Sequence, residues 1–249
     1  MHRAFNISNF DWANQATQSE VFKQNNNKEI VREKLESCIQ NGIIDGTNLG
    51  TQWFPTVKAD VFISHSHADE DIAIRCAAWL KENFGLESFI DSCVWGHADK
   101  LLKIIDDQYC LNPGSETYDY QKRNQSTSHI HMMLATAITE MINATECIFF
   151  LNSGNSINSL DAISKTKSPW LFYELGVLRT IQRTVPARLL TQNFTYLTAK
   201  SAAVPIEHTV QLTELTTLKG GDINFWCLKS LITGASKLKA LDILYKMFP

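Results

Sequence analysis

The chain has 249 residues, of which 44% are hydrophobic and 20% are charged, and its formal net charge is −3. These proportions are typical of a globular domain with a buried core, while the lack of basic excess argues against a nucleic-acid partner. No apolar run reaches the roughly 20 residues of a membrane span, so we expect no membrane partner either.

We expect no secretion signal in the first residues, because Met1 to Asn9 mix charged, polar and aromatic side chains. The six cysteines are scattered without a C-x-x-C pair, which favours a cytoplasmic protein with reduced thiols. Glu29 to Ile39 has the periodicity of an amphipathic helix, and Asp45 to Pro55 is typical of a connecting loop. We therefore predict a helical extension and linker over residues 1–57, followed by the main domain over residues 58–249.

From Lys58 onward, short apolar runs alternate with helical patterns, and a polar stretch from Tyr109 to Ser128 predicts a long loop or insertion. The predicted strands are Ala59–Ser64, Glu87–Ile90 and Cys147–Leu151, with weaker candidates at Arg188–Leu190 and His208–Leu212. This alternation predicts an α/β fold with a parallel sheet of about five strands and helices on both faces. Ligands of such sheets bind beyond the carboxyl ends of the strands.

The first polar candidate follows the first of these strands, in the sequence D-V-F-I-S-H-S-H-A-D-E-D from Asp60 to Asp71. Ser64, His65 and Ser66 would lie beside a helix N-terminus, whose free N–H groups suit a phosphate. In the alternative interpretation, Ser66 only caps the helix and Asp69 completes a capping box. Capping leaves the two histidines of this loop unexplained.

The second candidate is F-I-D-S-C-V-W-G, which runs from Phe89 to Gly96. At the end of a strand, Asp91 can accept hydrogen bonds from a ribose, and Trp95 can stack on a base or a nicotinamide ring. Trp95 is equally well explained as a buried side chain that anchors a loop.

The third candidate is W-L-F-Y-E from Trp170 to Glu174, opened by a Ser-Pro helix start. On a helix, Trp170 and Glu174 lie one turn apart on one face. A carboxylate among apolar neighbours is unfavourable for stability, and its desolvation would raise its pKa, as at many functional sites. In the structural alternative, Arg179, Arg183 or a loop N–H pairs with Glu174.

Together, the D-V-F-I-S strand and the W-x-x-x-E helix resemble a Toll/interleukin-1 receptor (TIR) domain of the bacterial, NAD-cleaving kind. The resemblance spans approximately Lys58 to Leu212. It implies a flavodoxin-like three-layer fold with Glu174 as the catalytic carboxylate. The substrate-binding residues that it implies are Ser64, His65, Ser66, Asp91, Trp95 and Trp170.

The activity implied by this resemblance is cleavage of the nicotinamide–ribose bond of NAD, with NAD as substrate and without a cofactor. TIR enzymes of the Thoeris antiphage type make nucleotide second messengers that a separate effector detects, and TIR domains self-associate. The products open to such an enzyme are ADP-ribose, a cyclic isomer or a conjugate. We expect no metal, because the histidines lack ligand spacing: His129 and His131, for instance, cannot share a helical face.

Two other functions stay open on the sequence. A TIR adaptor without catalysis would act through domain–domain association, with Ser92 to Gly96 as its contact surface. A nucleoside deoxyribosyltransferase-like enzyme would use the glutamate on the sugar of a free deoxynucleoside. Fold analogy alone does not choose among them.

Overall fold

The computed structural model describes residues 1–8, 10–11, 38–40, 43–95, 98–157, 165–166, 168–189, 208–209, 212 and 215–249. The chain divides into two compact units. Unit 1 comprises Met1–Phe22, Lys58–Ile90 and Met141–Pro249, and unit 2 comprises Lys23–Val57 and Asp91–Glu140. This division differs from the predicted boundary between residues 57 and 58, since the first residues of the chain belong with unit 1.

The strands follow one another along the chain in short segments. They are β1 (Arg3–Ser8), β2 (Ile39–Gln40), β3 (Ile43–Ile44), β4 (Val61–Ser64), β5 (Ser88–Phe89), β6 (Cys147–Asn152), β7 (Lys165–Thr166), β8 (His208–Thr209) and β9 (Thr216–Leu218).

The named helices are α1 (Gly46–Trp53), α2 (Glu70–Phe84), α3 (Asp91–Val94), α4 (Ala98–Ile105), α5 (Tyr120–Ala144), α6 (Pro169–Thr180), α7 (Gly220–Thr233) and α8 (Leu238–Met247). All but one of them are longer than any of the strands, the exception being the four-residue α3. Short 3₁₀ helices cover His67–Asp69 and Ala187–Leu189, and a π-helical turn covers Asp106–Cys110.

The central sheet of unit 1 has the strand order β5-β4-β6-β1-β9, and all of its pairings are parallel. The predicted α/β class with a parallel sheet of five strands is therefore confirmed, and the arrangement is consistent with a flavodoxin-like three-layer fold. Its middle strand β6 is buried at five of its six positions, as expected for an apolar run covered on both faces.

The prediction was right for three strands of this sheet and wrong for the other two. The predicted strands at Ala59–Ser64, Glu87–Ile90 and Cys147–Leu151 correspond to β4, β5 and β6. The two remaining positions are taken by β1 and β9, which the sequence prediction did not include. The four central residues of β1 are buried, and the polar Asn6 among them donates from Nδ2 to Thr217 Oγ1 of β9 at 3.1 Å.

Five other sequence expectations need correction or lie outside the described residues. The predicted connecting loop Asp45–Pro55 contains the helix α1, whose N-cap is Asp45. Arg188 and Leu189, predicted as strand residues, lie in the 3₁₀ turn Ala187–Leu189, and Leu190 is outside the described residues. At His208–Leu212, β8 pairs antiparallel with β7 in a separate sheet. The stretch Tyr109–Ser128 is a loop only in part, since α5 begins at Tyr120. The first turns of α5 are exposed and polar, so they lack the apolar periodicity by which the sequence predicts a helix. Of the predicted helix Glu29–Ile39, only Cys38 and Ile39 are described.

Aromatic side chains fill the core of unit 1. Trp226 of α7 stacks on Phe84 of α2 with 4.2 Å between ring centroids, and it meets Phe149 of β6 edge to face at 6.1 Å. Its indole N–H is satisfied inside the core by the carbonyl of Ala240 at 2.8 Å. Through these aromatic contacts, α7 packs against both α2 and the sheet.

All six cysteines are free thiols. None of the helices in the described part of the chain combines the length and the apolar character needed to cross a membrane.

We expect the buried His2, which directly precedes β1, to make the stability of the protein depend on pH. Its ring is 1% exposed, meets Tyr245 edge to face, and has no hydrogen-bond partner at either nitrogen among the described residues. Burial, together with the nearby positive charge of Arg3, lowers the pKa of His2 to about 4. Between pH 6.5 and pH 4, the unfolded chain therefore binds a proton that the folded chain excludes. The free energy of unfolding decreases as the pH is lowered through this window.

At pH 5 we expect His2 to lower the free energy of unfolding by about 2 kcal/mol relative to pH 8. A His2→Phe variant keeps the ring contact and should lack this part of the pH dependence. Urea unfolding of both proteins at the two pH values measures the difference. Parallel losses in the two proteins would show that His2 is not responsible.

Candidate active site

The polar residues of unit 1 converge where the winding of the sheet changes direction. From β4 the chain next enters β5 on one side, whereas the later strand β6 lies on the other side of β4. In parallel sheets, ligands bind beyond the carboxyl ends of the strands at such a switch point. Here these ends are Ser64 of β4 and Asn152 of β6.

Ser64 and Glu174 are in direct contact at this edge. The Ser64 hydroxyl donates to Glu174 Oε2 at 2.5 Å, and the two residues are 2% and 4% exposed. They are separated by 110 positions in the chain, so the fold brings them together. A hydroxyl bonded to a carboxylate at this short distance fixes the orientation of the acid. The two sequence candidates therefore belong to one site.

Helix α6 positions Glu174. It begins with Ser168 as the N-cap, whose hydroxyl accepts from the Leu171 N–H at 3.3 Å, and with Pro169 in the first turn, as the sequence predicts. Glu174 lies on the buried side of this helix, together with Leu171, Leu175 and Leu178. Trp170, one turn before Glu174, is half-buried.

A second carboxylate, Asp69, ties together the loops that follow β4 and β6. Asp69 Oδ2 accepts from the hydroxyls of Ser66 and Ser153, the latter at 2.5 Å, and Oδ1 accepts from Asn155 Nδ2 at 2.8 Å. The Asp69 residue is 1% exposed. These four side chains, which we call the Asp69 cluster, crosslink the two loops at the switch point.

The Asp69 cluster keeps its carboxylate ionised. Burial by itself would raise the pKa of Asp69, but hydrogen bonds from Ser153, Ser66 and Asn155, together with the charge of His65, hold that pKa below its usual value. Hydrogen bonds to a carboxylate stabilise its charged form. The edge of the sheet therefore carries a fixed negative charge.

A cavity of about 420 Å³ opens beside the Asp69 cluster. Its described lining comes from the carboxyl ends of β1 and β6 and from the start of α2: Ile7, Phe10, Asp11, Asp69, Ile72, Leu151, Asn152, Ser153 and Gly154. This lining has two carboxylates and no Lys or Arg. The cavity therefore suits hydroxyl groups or a cation better than a phosphate.

In the loop Ser64–His67, which the sequence predicts to bind a phosphate or ribose, both serine hydroxyls donate to carboxylates, Ser64 to Glu174 and Ser66 to Asp69. Ser66 makes no side-chain cap bond to a backbone N–H, so the capping-box alternative is wrong. The hydroxyl of Ser66 instead belongs to the Asp69 cluster. His65 is half-buried, and its Nδ1 lies 3.3 Å from the carbonyl oxygen of Ile63.

Asp91 and Trp95 belong to unit 2, unlike the other predicted site residues. Asp91 is half-buried and opens the short helix α3. Trp95 is 5% exposed, donates from Nε1 to the Pro55 carbonyl at 3.0 Å and packs edge to face on Phe54. These contacts are those of a buried tryptophan that anchors a loop.

Sequence reasoning missed Ser153 and Asn155. Their signal was the run N-S-G-N-S that directly follows the most apolar strand of the chain. Small polar residues after a buried parallel strand mark the ligand edge of a sheet.

Within the described residues, no three His, Cys, Asp or Glu side chains cluster as a metal site would require. Comparisons of the chain with known protein families, with curated proteins and with solved structures find no match.

Proposed function

We propose that the chain cleaves the bond between nicotinamide and ribose in NAD, with Glu174 acting on the ribosyl group. The observation that carries the proposal is the buried Ser64–Glu174 hydrogen bond at the switch point of the sheet. It joins the two segments, D-V-F-I-S and W-x-x-x-E, whose resemblance to NAD-cleaving TIR domains motivates the assignment.

The chemistry of the bond suits a single carboxylate. Cleavage passes through a sugar cation that resembles an oxocarbenium ion, and a negative group near the ribose stabilises that charge. Nicotinamide leaves as a neutral molecule, so no general acid is needed. The Ser64 hydroxyl orients the Glu174 carboxylate for this role.

The charge of the neighbouring cavity favours the binding of a cationic substrate group. The nicotinamide ring of NAD carries a positive charge before cleavage, and the cavity presents the ionised Asp69 together with Asp11. Asn152 and Ser153 supply polar groups for ribose hydroxyls. We infer that the nicotinamide riboside half of NAD binds beside the Asp69 cluster.

The Glu174 side chain must move before it can act on the substrate. The residue is 4% exposed, and neither Ser64 nor Glu174 is among the described residues that line the cavity. The carboxylate must therefore become accessible before it can meet the ribose. An assembly or an activating signal that opens the site would account for this requirement, and cytoplasmic NAD would be the substrate.

The substrate test compares NAD, nicotinic acid adenine dinucleotide and deoxyadenosine, with products identified by mass spectrometry. We expect nicotinamide release from NAD, and a kcat/KM about tenfold lower for the nicotinic acid analogue, because its ring carboxylate would meet Asp69 and Asp11. The mass of the second product distinguishes ADP-ribose, a cyclic isomer and a conjugate, and thus whether a messenger for a separate effector is made. Cleavage of deoxyadenosine alone would favour the deoxyribosyltransferase-like alternative.

One observation favours a second candidate, association without catalysis. Helix α7 exposes four large apolar side chains with exposures between 52% and 77%: Phe225, Leu228, Leu231 and Ile232. A contiguous exposed apolar stripe is typical of a protein contact surface. Self-association together with intact NAD in every condition would favour the adaptor function over the enzyme.

A further inference from the structure

Unit 2 holds a cavity that the proposed reaction does not use. Its volume is about 720 Å³, and its described lining comes from Ile44 of β3, from α1 and the segment after it, from Ile105, and from one side of α5. Every one of these lining residues belongs to unit 2. The volume falls in the range of roughly 300–1,000 Å³ that is typical of small-molecule sites.

The floor of this cavity is apolar. Its buried side chains are Leu49, Phe54, Ile105, Ile130 and Ala137, none of them more than 6% exposed. A ligand that places a hydrophobic ring or chain against this floor gains free energy in proportion to the ligand's own apolar area that is removed from water. The ligand therefore has an apolar body.

Three of the hydroxyl groups that line the cavity are already hydrogen-bond donors within the protein. Thr51 and Thr136 each donate to the carbonyl four residues earlier in their own helices, at 3.0 and 2.9 Å. Ser126 donates to the buried carboxylate of Asp106 at 2.7 Å. Because a hydroxyl has one hydrogen, these three oxygens can only accept from a ligand. They suit a group that carries N–H bonds.

The charge at the rim agrees with this preference. Glu140 lies exposed in the last part of α5 that lines the cavity, and the described lining contains one histidine, the exposed His129, but no Lys or Arg. A carboxylate without a neighbouring Lys or Arg attracts a positive ligand group and repels a negative one. The phosphates of NAD are excluded by the same argument.

We propose that the unit 2 cavity binds a small molecule that consists of an apolar, ring-sized body and a protonated amine. The body covers the floor around Leu49 and Ile130, and the ammonium group reaches the acceptors of the rim and Glu140. This site is independent of NAD cleavage, so neither proposal depends on the other.

The test uses two probes with the same naphthalene body and opposite charges, 1-naphthylmethylamine and 1-naphthylacetate. Isothermal titration calorimetry of the full chain at pH 7 measures the affinity of each. We expect the ammonium probe to bind at one site, about fivefold more tightly than the carboxylate probe, the size of effect produced by one partly exposed charge pair.

Two variants assign the binding to the cavity. In Gly50→Leu the new side chain enters the space beside Met133, whose Sδ lies 3.4 Å from an added Cβ, and a helix tolerates leucine better than glycine. This variant should bind both probes at least tenfold more weakly. Glu140→Gln should remove the preference for the ammonium probe. Gly221→Leu, on an open helix surface of unit 1, is the matched control and should bind as the wild type does.

Equal affinity for the two probes, or tighter binding of the carboxylate, would overturn the charge assignment. Unchanged affinity in a folded Gly50→Leu variant would overturn the location, as would the absence of binding to the wild type. Circular dichroism spectra of each variant establish that it is folded.

Discussion

Replacing Asp69 with Leu is expected to lower the free energy of unfolding by about 3–4 kcal/mol. The substitution removes the shared acceptor of the buried Ser66, the half-buried Ser153 and the exposed Asn155, and it leaves the Ser66 hydroxyl without this partner inside the protein. It also separates the loops after β4 and β6, which the carboxylate crosslinks. Urea unfolding at pH 7 measures the loss.

Two further variants isolate the cause of this loss. Asp71→Leu, at an exposed position two residues later, should change the free energy of unfolding by less than about 0.5 kcal/mol. Asp69→Asn keeps one acceptor oxygen, so its loss of unfolding free energy should lie between the losses of Asp71→Leu and Asp69→Leu. A loss at Asp71 equal to that at Asp69 would refute a special role for the Asp69 cluster.

The same cluster predicts a stability change in acid. The pKa of Asp69 is held below its usual value, so its contribution to stability is complete above the unfolded value of 3.8 and is lost as the pH falls through the folded pKa. The difference in stability between the wild type and Asp69→Asn should therefore narrow below pH 4. A difference that is constant from pH 6 to pH 3 would contradict the ionised state of Asp69.

Replacing Glu174 with Gln is expected to lower nicotinamide release from NAD by about a thousandfold, the usual effect of removing one strong electrostatic contact to a transition state. Glutamine has nearly the same shape and keeps an oxygen that can accept from Ser64, but it lacks the charge that stabilises a sugar cation. The loss should therefore appear in kcat more than in KM. Steady-state kinetics, with nicotinamide quantified by chromatography, measure both.

Matched variants separate chemistry from folding. Glu82→Gln changes an exposed glutamate of α2 and should keep wild-type activity. Ser64→Ala should lower kcat about tenfold, because the carboxylate loses the hydroxyl that orients it. Thermal unfolding of Glu174→Gln within a few degrees of the wild type would show that the loss is catalytic. Full activity in that folded variant would reject Glu174 as the catalytic group.

The parts of the fold that the sequence predicted are those with strong local signals. Five apolar residues between polar flanks identified β6, and the Ser-Pro start identified the beginning of α6. The strand β1, which lies between β6 and β9, was missed because its buried positions include the polar Asn6, whose Nδ2 donates to Thr217 on a distant strand. A pairing across 211 positions leaves no local trace. The grouping of Lys23–Val57 with Asp91–Glu140 is equally non-local.

The candidate site divides in the same way. Ser64, Ser66 and Glu174 were selected by motif, and the fold brings Ser64 and Glu174 into contact. The motif paired Ser66 with Asp69 only as a capping box, and it did not indicate that Ser153 and Asn155 would bond to the same carboxylate, because they lie 84 and 86 positions away in another loop. For Trp95, the sequence allowed either a stacking or an anchoring role, and only the contacts with Phe54 and Pro55 favoured the anchor.

A crystal structure of the Glu174→Gln variant soaked with NAD tests the role of Glu174 directly. We expect intact NAD with its nicotinamide riboside half beside Asp69, and the residue 174 side chain within about 3.5 Å of the ribose carbon that bears nicotinamide. NAD bound elsewhere, or a ribose that residue 174 does not approach, would contradict the assignment of Glu174 to the reaction.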